Sequence, residues 1–206
     1  MSKIDELTTA VVSGKSKQVA AIVEDGLKEN SALELLDAMI AAMGKVGDQF
    51  SAGEIFVPEM LVSARAMQKG VEVLKPSLAE AGRKSLGKCI IGTVQGDLHD
   101  IGKNLVAIMI ESAGFDVIDL GVDVTTEKFV ECIDANPDVN IVALSGLLTT
   151  TMPSMEATAK ALKAKGGSYK LLVGGAPITQ EFAAQIGADA YAVDAGAAAV
   201  TAKGLV

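Results

Sequence analysis

Apolar residues recur at two different periods along this chain, and the change comes near residue 85. Before it the rhythm is helical. Leu33, Leu36, Ile40, Met43 and Phe50 follow one another at steps of three, four and seven, which stripes one face of a helix. Ser31, with Glu34 three residues on, is a capping-box pattern that marks where this helix begins. Pro58, a residue favoured in a first helical turn, opens a second long helix. Its stripe is Leu61, Ala64, Met67, Val71, Leu74 and Leu78, and Pro76 is expected to kink or shorten it. Two shorter helices, over 3–13 and 16–29, complete an N-terminal four-helix bundle.

From Leu86 onward short apolar runs alternate with helical segments. Residues 88–94, 115–120, 139–145, 169–173 and 189–193 read as strands. Residues 102–113, 125–135, 153–165, 178–186 and 196–203 read as the helices that follow them. Continuous apolar strands in βα units predict a parallel sheet covered on both faces. The expected class is therefore α/β: a helical bundle over 1–84, then a flavodoxin/Rossmann-like doubly wound five-stranded sheet over 85–206. The polar, small stretch 80–85 reads as the linker between them, and as a hinge if the two parts move.

Composition narrows the function. The chain has 206 residues, 50% of them apolar, and a formal net charge of −8. An acidic chain with no basic cluster is not expected to bind nucleic acid. The charged start, Met1-Ser2-Lys3-Ile4-Asp5-Glu6, does not read as a signal peptide. No apolar run approaches the roughly 18 residues that span a bilayer. Cys89 and Cys132 stand far apart in apolar surroundings and are expected to be buried, reduced thiols. A cytoplasmic protein is the simplest expectation.

In open sheets of this kind ligands bind beyond the carboxyl ends of the strands, where strand order reverses. Three loops leave those ends with unusual content. After the first strand comes Gly96-Asp97-Leu98-His99-Asp100-Ile101-Gly102, after the third Ser145-Gly146-Leu147-Leu148-Thr149-Thr150-Thr151, and after the fourth Gly174-Gly175-Ala176-Pro177. In a 2-1-3-4-5 order these strands are neighbours, so the three loops line one crevice. His99 is the only histidine. Asp97, two residues before it, can accept one imidazole N–H, which fixes the tautomer and leaves the other nitrogen for a metal. One imidazole cannot hold a zinc ion, which needs three or four protein ligands. A metal already held in a macrocycle needs only an axial ligand. A nicotinamide or flavin site fits less well, because Gly92, Gly96 and Gly102 have the wrong spacing for a G-x-G-x-x-G turn.

Asp97-x-His99-x-x-Gly102, then Ser145-x-Leu147, then Gly174-Gly175 resembles the cobalamin-binding signature of methionine synthase and of the corrinoid proteins of methyltransferase systems. The likeness extends through Lys103-Asn104 and Asp119-Leu120-Gly121-Val122, and the N-terminal segment resembles the helical cap domain of the same families. The resemblance implies that His99 is the lower axial ligand to the cobalt of cobalamin or a related corrinoid, oriented by Asp97. It implies that Gly96, Leu98, Asp100 and Gly102 surround that ligand and that Ser145, Leu147 and Thr149 meet the buried nucleotide tail. Gly174 and Gly175 would let the tail pass, and Ala195 would add a contact. Thr151 stands where methionine synthase has the serine that extends the Asp–His pair. The cap, through segment 54–67 with Phe56 and Met67, would shield the upper cobalt face.

The function so implied is carriage of a methyl group on cobalt. A substrate-specific methyltransferase would load it, and a second methyltransferase would pass it to tetrahydrofolate or to a thiol such as coenzyme M. A reductive activation protein would be a further partner. The alternatives within the same signature are the small cobalamin-binding subunit of a corrinoid-dependent mutase and a cobalamin-dependent sensor. A mutase subunit normally lacks this cap, and a sensor would carry a DNA-binding element.

Overall fold

The computed structural model describes residues 2–80 and 85–206. The linker and hinge expected at 80–85 fall largely on residues 81–84, outside the described residues. Two compact units divide the chain, Met1–Lys84 and Ser85–Val206.

The first unit consists of α1 (Lys3–Val12), α2 (Ser16–Gly26), α3 (Ala32–Ser51) and α4 (Val57–Glu80). The capping box at Ser31 forms: its hydroxyl accepts from the Glu34 N–H at 3.2 Å, and the Glu34 carboxylate accepts from the Ser31 N–H at 2.8 Å. Ser2 and Asp5 repeat the device at α1. The buried face of α3 is broader than the expected stripe and differently phased. Leu35, Met39, Ala42 and Val46 are fully buried, whereas Leu33 is exposed. Packing on both α1 and α4 makes this helix bury more than one stripe. Gly70 permits that approach, because a Cβ there would come within 2.4 Å of the Met39 sulfur. α2 stops at Gly26, short of the expected 29, and α4 runs through Pro76 to Glu80 rather than ending there. Proline removes one backbone donor, a local loss that the remaining ladder of a long helix tolerates.

The second unit alternates β1 (Lys88–Thr93), α5 (Ile101–Ser112), β2 (Asp116–Asp119), α6 (Thr126–Ala135), β3 (Val139–Ser145), α7 (Met152–Lys165), β4 (Lys170–Gly174), α8 (Gln180–Gln185), β5 (Ala190–Ala192) and α9 (Ala195–Gly204). All pairings are parallel in the order β2-β1-β3-β4-β5, so the chain reverses direction of travel between β1 and β3. Alternate residues serve opposite faces. Ile90, Val142, Leu144, Leu171 and Val173 join the core built with α6, α7 and α8, where Phe129 is fully buried. Gly92 leaves room for that ring, since a Cβ would stand 2.8 Å from Phe129 Cζ. Cys89, Ile91, Ala143 and Leu172 are buried on the other side, where α5 and α9 pack together. Both cysteines are free; Cys89 is buried, which pushes its thiol up to about 12, and Cys132 is only half-buried. Among the described residues no helix is long and apolar enough to cross a membrane.

The strand register sets the site. Thr93 lies beside Ser145, Ser145 beside Gly174, and Gly174 beside Ala192. This row forms the carboxyl edge of four adjacent strands, from which the three singled-out loops depart.

Candidate functional site

Asp97 is the buried centre of the site, its side chain wholly removed from solvent. One carboxylate oxygen, Oδ1, accepts from the His99 backbone N–H at 3.0 Å and faces the His99 Nδ1 at 2.6 Å. The other accepts from the backbone N–H groups of Leu147 at 2.6 Å and Leu148 at 3.3 Å. The Thr151 hydroxyl lies 3.2 Å from the same oxygen and 2.9 Å from the Leu148 carbonyl. Burial works to raise the Asp97 pKa, but the donors at Leu147, His99 and Thr151 outweigh it and hold the carboxyl at about 2. The group is therefore an anion at neutral pH and can only accept. In the neutral imidazole that puts the proton on Nδ1 and the lone pair on Nε2. The imidazole is half exposed, so Nε2 stands at the surface of the crevice.

The loop that carries the pair is tied down on both sides. Thr93, fully buried at the end of β1, donates its hydroxyl to the His99 carbonyl at 2.9 Å. Gly96 takes a left-handed φ of +87°, which turns the chain toward Asp97. Asp100 precedes α5, and its carbonyl accepts the Asn104 N–H at 2.8 Å. Leu98 and Ile101, flanking His99, are each 73% exposed. Gly102 sits in the first turn of α5 with nothing within 4 Å of where a Cβ would be.

On the second loop Ser145 is half-buried, its carbonyl accepting from Val94 N–H at 3.0 Å. Leu147 is exposed, as is Thr149, which begins the 3-10 turn Thr149–Thr151. On the third, the glycines have a packing reason of their own. A Cβ on Gly174 would come within 2.9 Å of the Ala192 carbonyl oxygen, and one on Gly175 within 1.8 Å of the Gly146 carbonyl oxygen. Ala195 starts α9 at the same edge of the sheet, with its methyl buried. In the helical unit Met67 is core, whereas Phe56 is 69% exposed.

Residues 87–202 match the model of the B12 binding domain family, and residues 3–75 match a second model with the same description. The chain belongs to the B12-binding family. It is 41% identical to dimethylamine corrinoid protein 1 of Methanosarcina acetivorans, over 98% of this chain and 97% of that one. A solved cobalamin-binding protein from Desulfitobacterium hafniense superposes with a TM-score of 0.85 at 32% identity, covering 98% of both chains. The methanol:cobalamin methyltransferase complex of Methanosarcina barkeri gives 0.83 at 28% identity, over 98% of this chain and 78% of that one.

The residues of this B12-binding chain fit a corrinoid on their own terms. Among the described residues no group of three or more His, Cys, Asp or Glu side chains could hold a metal ion. A macrocycle that brings its own equatorial nitrogens needs one lone pair, and His99 Nε2 supplies one. Leu98 and Ile101, one and two positions from His99 in the chain, are both exposed apolar residues. Gly102 is disfavoured in a helix by up to about 1 kcal/mol relative to alanine, and no neighbour in the chain demands it.

Sequence reasoning missed the amide of Leu148, the hydroxyl of Thr93 and the exposed Ile101. Backbone donors leave no trace in residue type. Ile101 was legible as an apolar residue at a helix start, next to the ligand loop.

Proposed function

We propose that this chain carries a methyl group on the cobalt of a corrinoid, from a substrate-specific methyltransferase to a second methyltransferase. The observation that carries the reading is the His99 ring, held at Nδ1 by an ionised buried carboxylate and itself half exposed, with the exposed Leu98 and Ile101 on either side of it in the chain. When bound, the corrinoid supplies a cobalt able to take up and give away a methyl group. The protein's residues do the rest. Asp97 keeps the proton on Nδ1, so Nε2 remains the donor atom. Ser145, Leu147, Thr149 and the Gly174–Gly175 turn would line the path of the nucleotide tail, with Ala195 beyond them.

The names of the relatives support a methylamine as the methyl donor and a dedicated methyltransferase as the loading partner. The acceptor enzyme would act on tetrahydrofolate or a thiol such as coenzyme M, and a reductive activation protein would restore oxidised cobalt. The test is the visible spectrum of the corrinoid-loaded protein. His99→Ala should shift it to that of cobalt lacking a nitrogen ligand while corrinoid is still retained. An unchanged spectrum would show that His99 is not the ligand.

A further inference from the structure

Asp123, in the loop after β2, has a φ of +52°, a left-handed conformation that L-residues other than Asn and Asp rarely adopt. In that conformation it reaches two residues on the His99 loop at once. Its Oδ1 accepts the Gly96 N–H at 2.7 Å, and its own N–H donates to the Asp97 carbonyl at 2.9 Å. The loop that carries it is itself fixed to the sheet. Val124 N–H donates to the Thr93 carbonyl at 2.9 Å, and Thr93 N–H donates to the Gly121 carbonyl at 3.0 Å. At its start the Asp119 carboxylate accepts the Gly121 N–H at 2.9 Å and also pairs with Lys103, a lysine only 2% exposed.

Asp97 is thus gripped from two directions. Its carboxylate is held by the β3 loop through Leu147, Leu148 and Thr151, and its backbone by Asp123. If the backbone rotates, the carboxylate cannot follow without losing those donors, so the Asp97–His99 contact yields instead. Nε2 lies across the ring from that contact, where a small tilt becomes a larger displacement of the donor atom.

We propose that Asp123 is a positioning residue for the cobalt ligand: by holding the Gly96 N–H it sets the direction in which His99 presents Nε2. This rests on the reading of His99 as the axial ligand and requires no contact between Asp123 and the corrinoid.

Three substitutions separate the roles. Asp123→Asn keeps the acceptor and tolerates the backbone; Asp123→Gly keeps the backbone and removes the acceptor; Asp123→Ala loses both. Each corrinoid-loaded variant is read by visible spectroscopy under one set of conditions, as the ratio of His-bound to His-free cobalt relative to wild type. The Asn variant should match wild type within about twofold, whereas the Gly and Ala variants should lower the His-bound to His-free ratio about three- to tenfold, the range for loss of one hydrogen bond. Corrinoid bound per folded chain should not change. If the Gly variant keeps the wild-type ratio, or merely melts earlier with the ratio intact, Asp123 is only a loop-stabilising residue and the inference is overturned. His99→Ala is the control. If it keeps the wild-type spectrum, the ligand reading fails and this inference with it; if it loses the ligand while Asp123→Gly does not, the inference alone fails.

Discussion

Three glycines around the crevice look alike in sequence and should respond oppositely to alanine. In Gly175→Ala the new Cβ would lie 1.8 Å from the Gly146 carbonyl oxygen, at a φ of +136°. Both clashing groups are backbone, and the Gly146 N–H is bonded to the Gly174 carbonyl at 3.2 Å, so neither can swing aside. Overpacking and left-handed strain together should cost at least about 3 kcal/mol, roughly 12 °C in Tm for a unit of this size. Gly174→Ala meets only the Ala192 carbonyl, at 2.9 Å, on an edge strand able to shift. About 1–2 kcal/mol is expected there. Gly102→Ala meets nothing and gains helix propensity, so the corrinoid-free protein should be more stable by about 0.5–1 kcal/mol. If the corrinoid rests on this face, its affinity should nevertheless fall about tenfold, or about 1.4 kcal/mol, because the new methyl would stand in its way. Urea denaturation of the corrinoid-free variants gives the first quantities, and spectroscopic corrinoid titration the last. If Gly102→Ala binds corrinoid as tightly as wild type, the ligand does not rest on this face. If Gly175→Ala melts with wild type, the packing argument is wrong.

Two further outcomes follow from the carboxylate. Asp97 has a folded pKa of about 2 against a reference of 3.8, so the stability it contributes, about 2 kcal/mol, is complete above the reference value and lost as pH falls through 2. The stability gap between wild type and Asp97→Asn, from urea melts, should therefore shrink between pH 4 and pH 2; a constant gap would count against an ionised Asp97. Thr151→Val should cost about 1–2 kcal/mol in urea for the lost buried hydroxyl. It should leave the His-bound spectrum intact, because Leu147, Leu148 and His99 still donate to Asp97; a His-free spectrum would make the hydroxyl indispensable.

The sheet was legible because its central strands, β1, β3 and β4, are buried over most of their length and so read as continuous apolar runs. Its order then placed the loops after β1, β3 and β4 at one edge, and the register row from Thr93 to Gly174 puts them there. The phase of α3 was harder to read. Its apolar residues are denser than one stripe, and choosing Leu33 over Leu35 depended on knowing that two neighbours pack on it. Gly174 and Gly175 show a different limit: glycine reports that a side chain is intolerable there without saying whether ligand or backbone forbids it. Here the carbonyls of Ala192 and Gly146 do so by themselves. The Asp97–His99 pair stands out because both ends are side chains. What holds it, the amides of Leu147 and Leu148 on the carboxylate and that of Asp123 on the Asp97 carbonyl, is mostly main chain and depends on loops that lie far apart in sequence. A signature can therefore locate the histidine proposed to meet cobalt, whereas most of the groups that fix its loop are main-chain donors that no residue letter encodes.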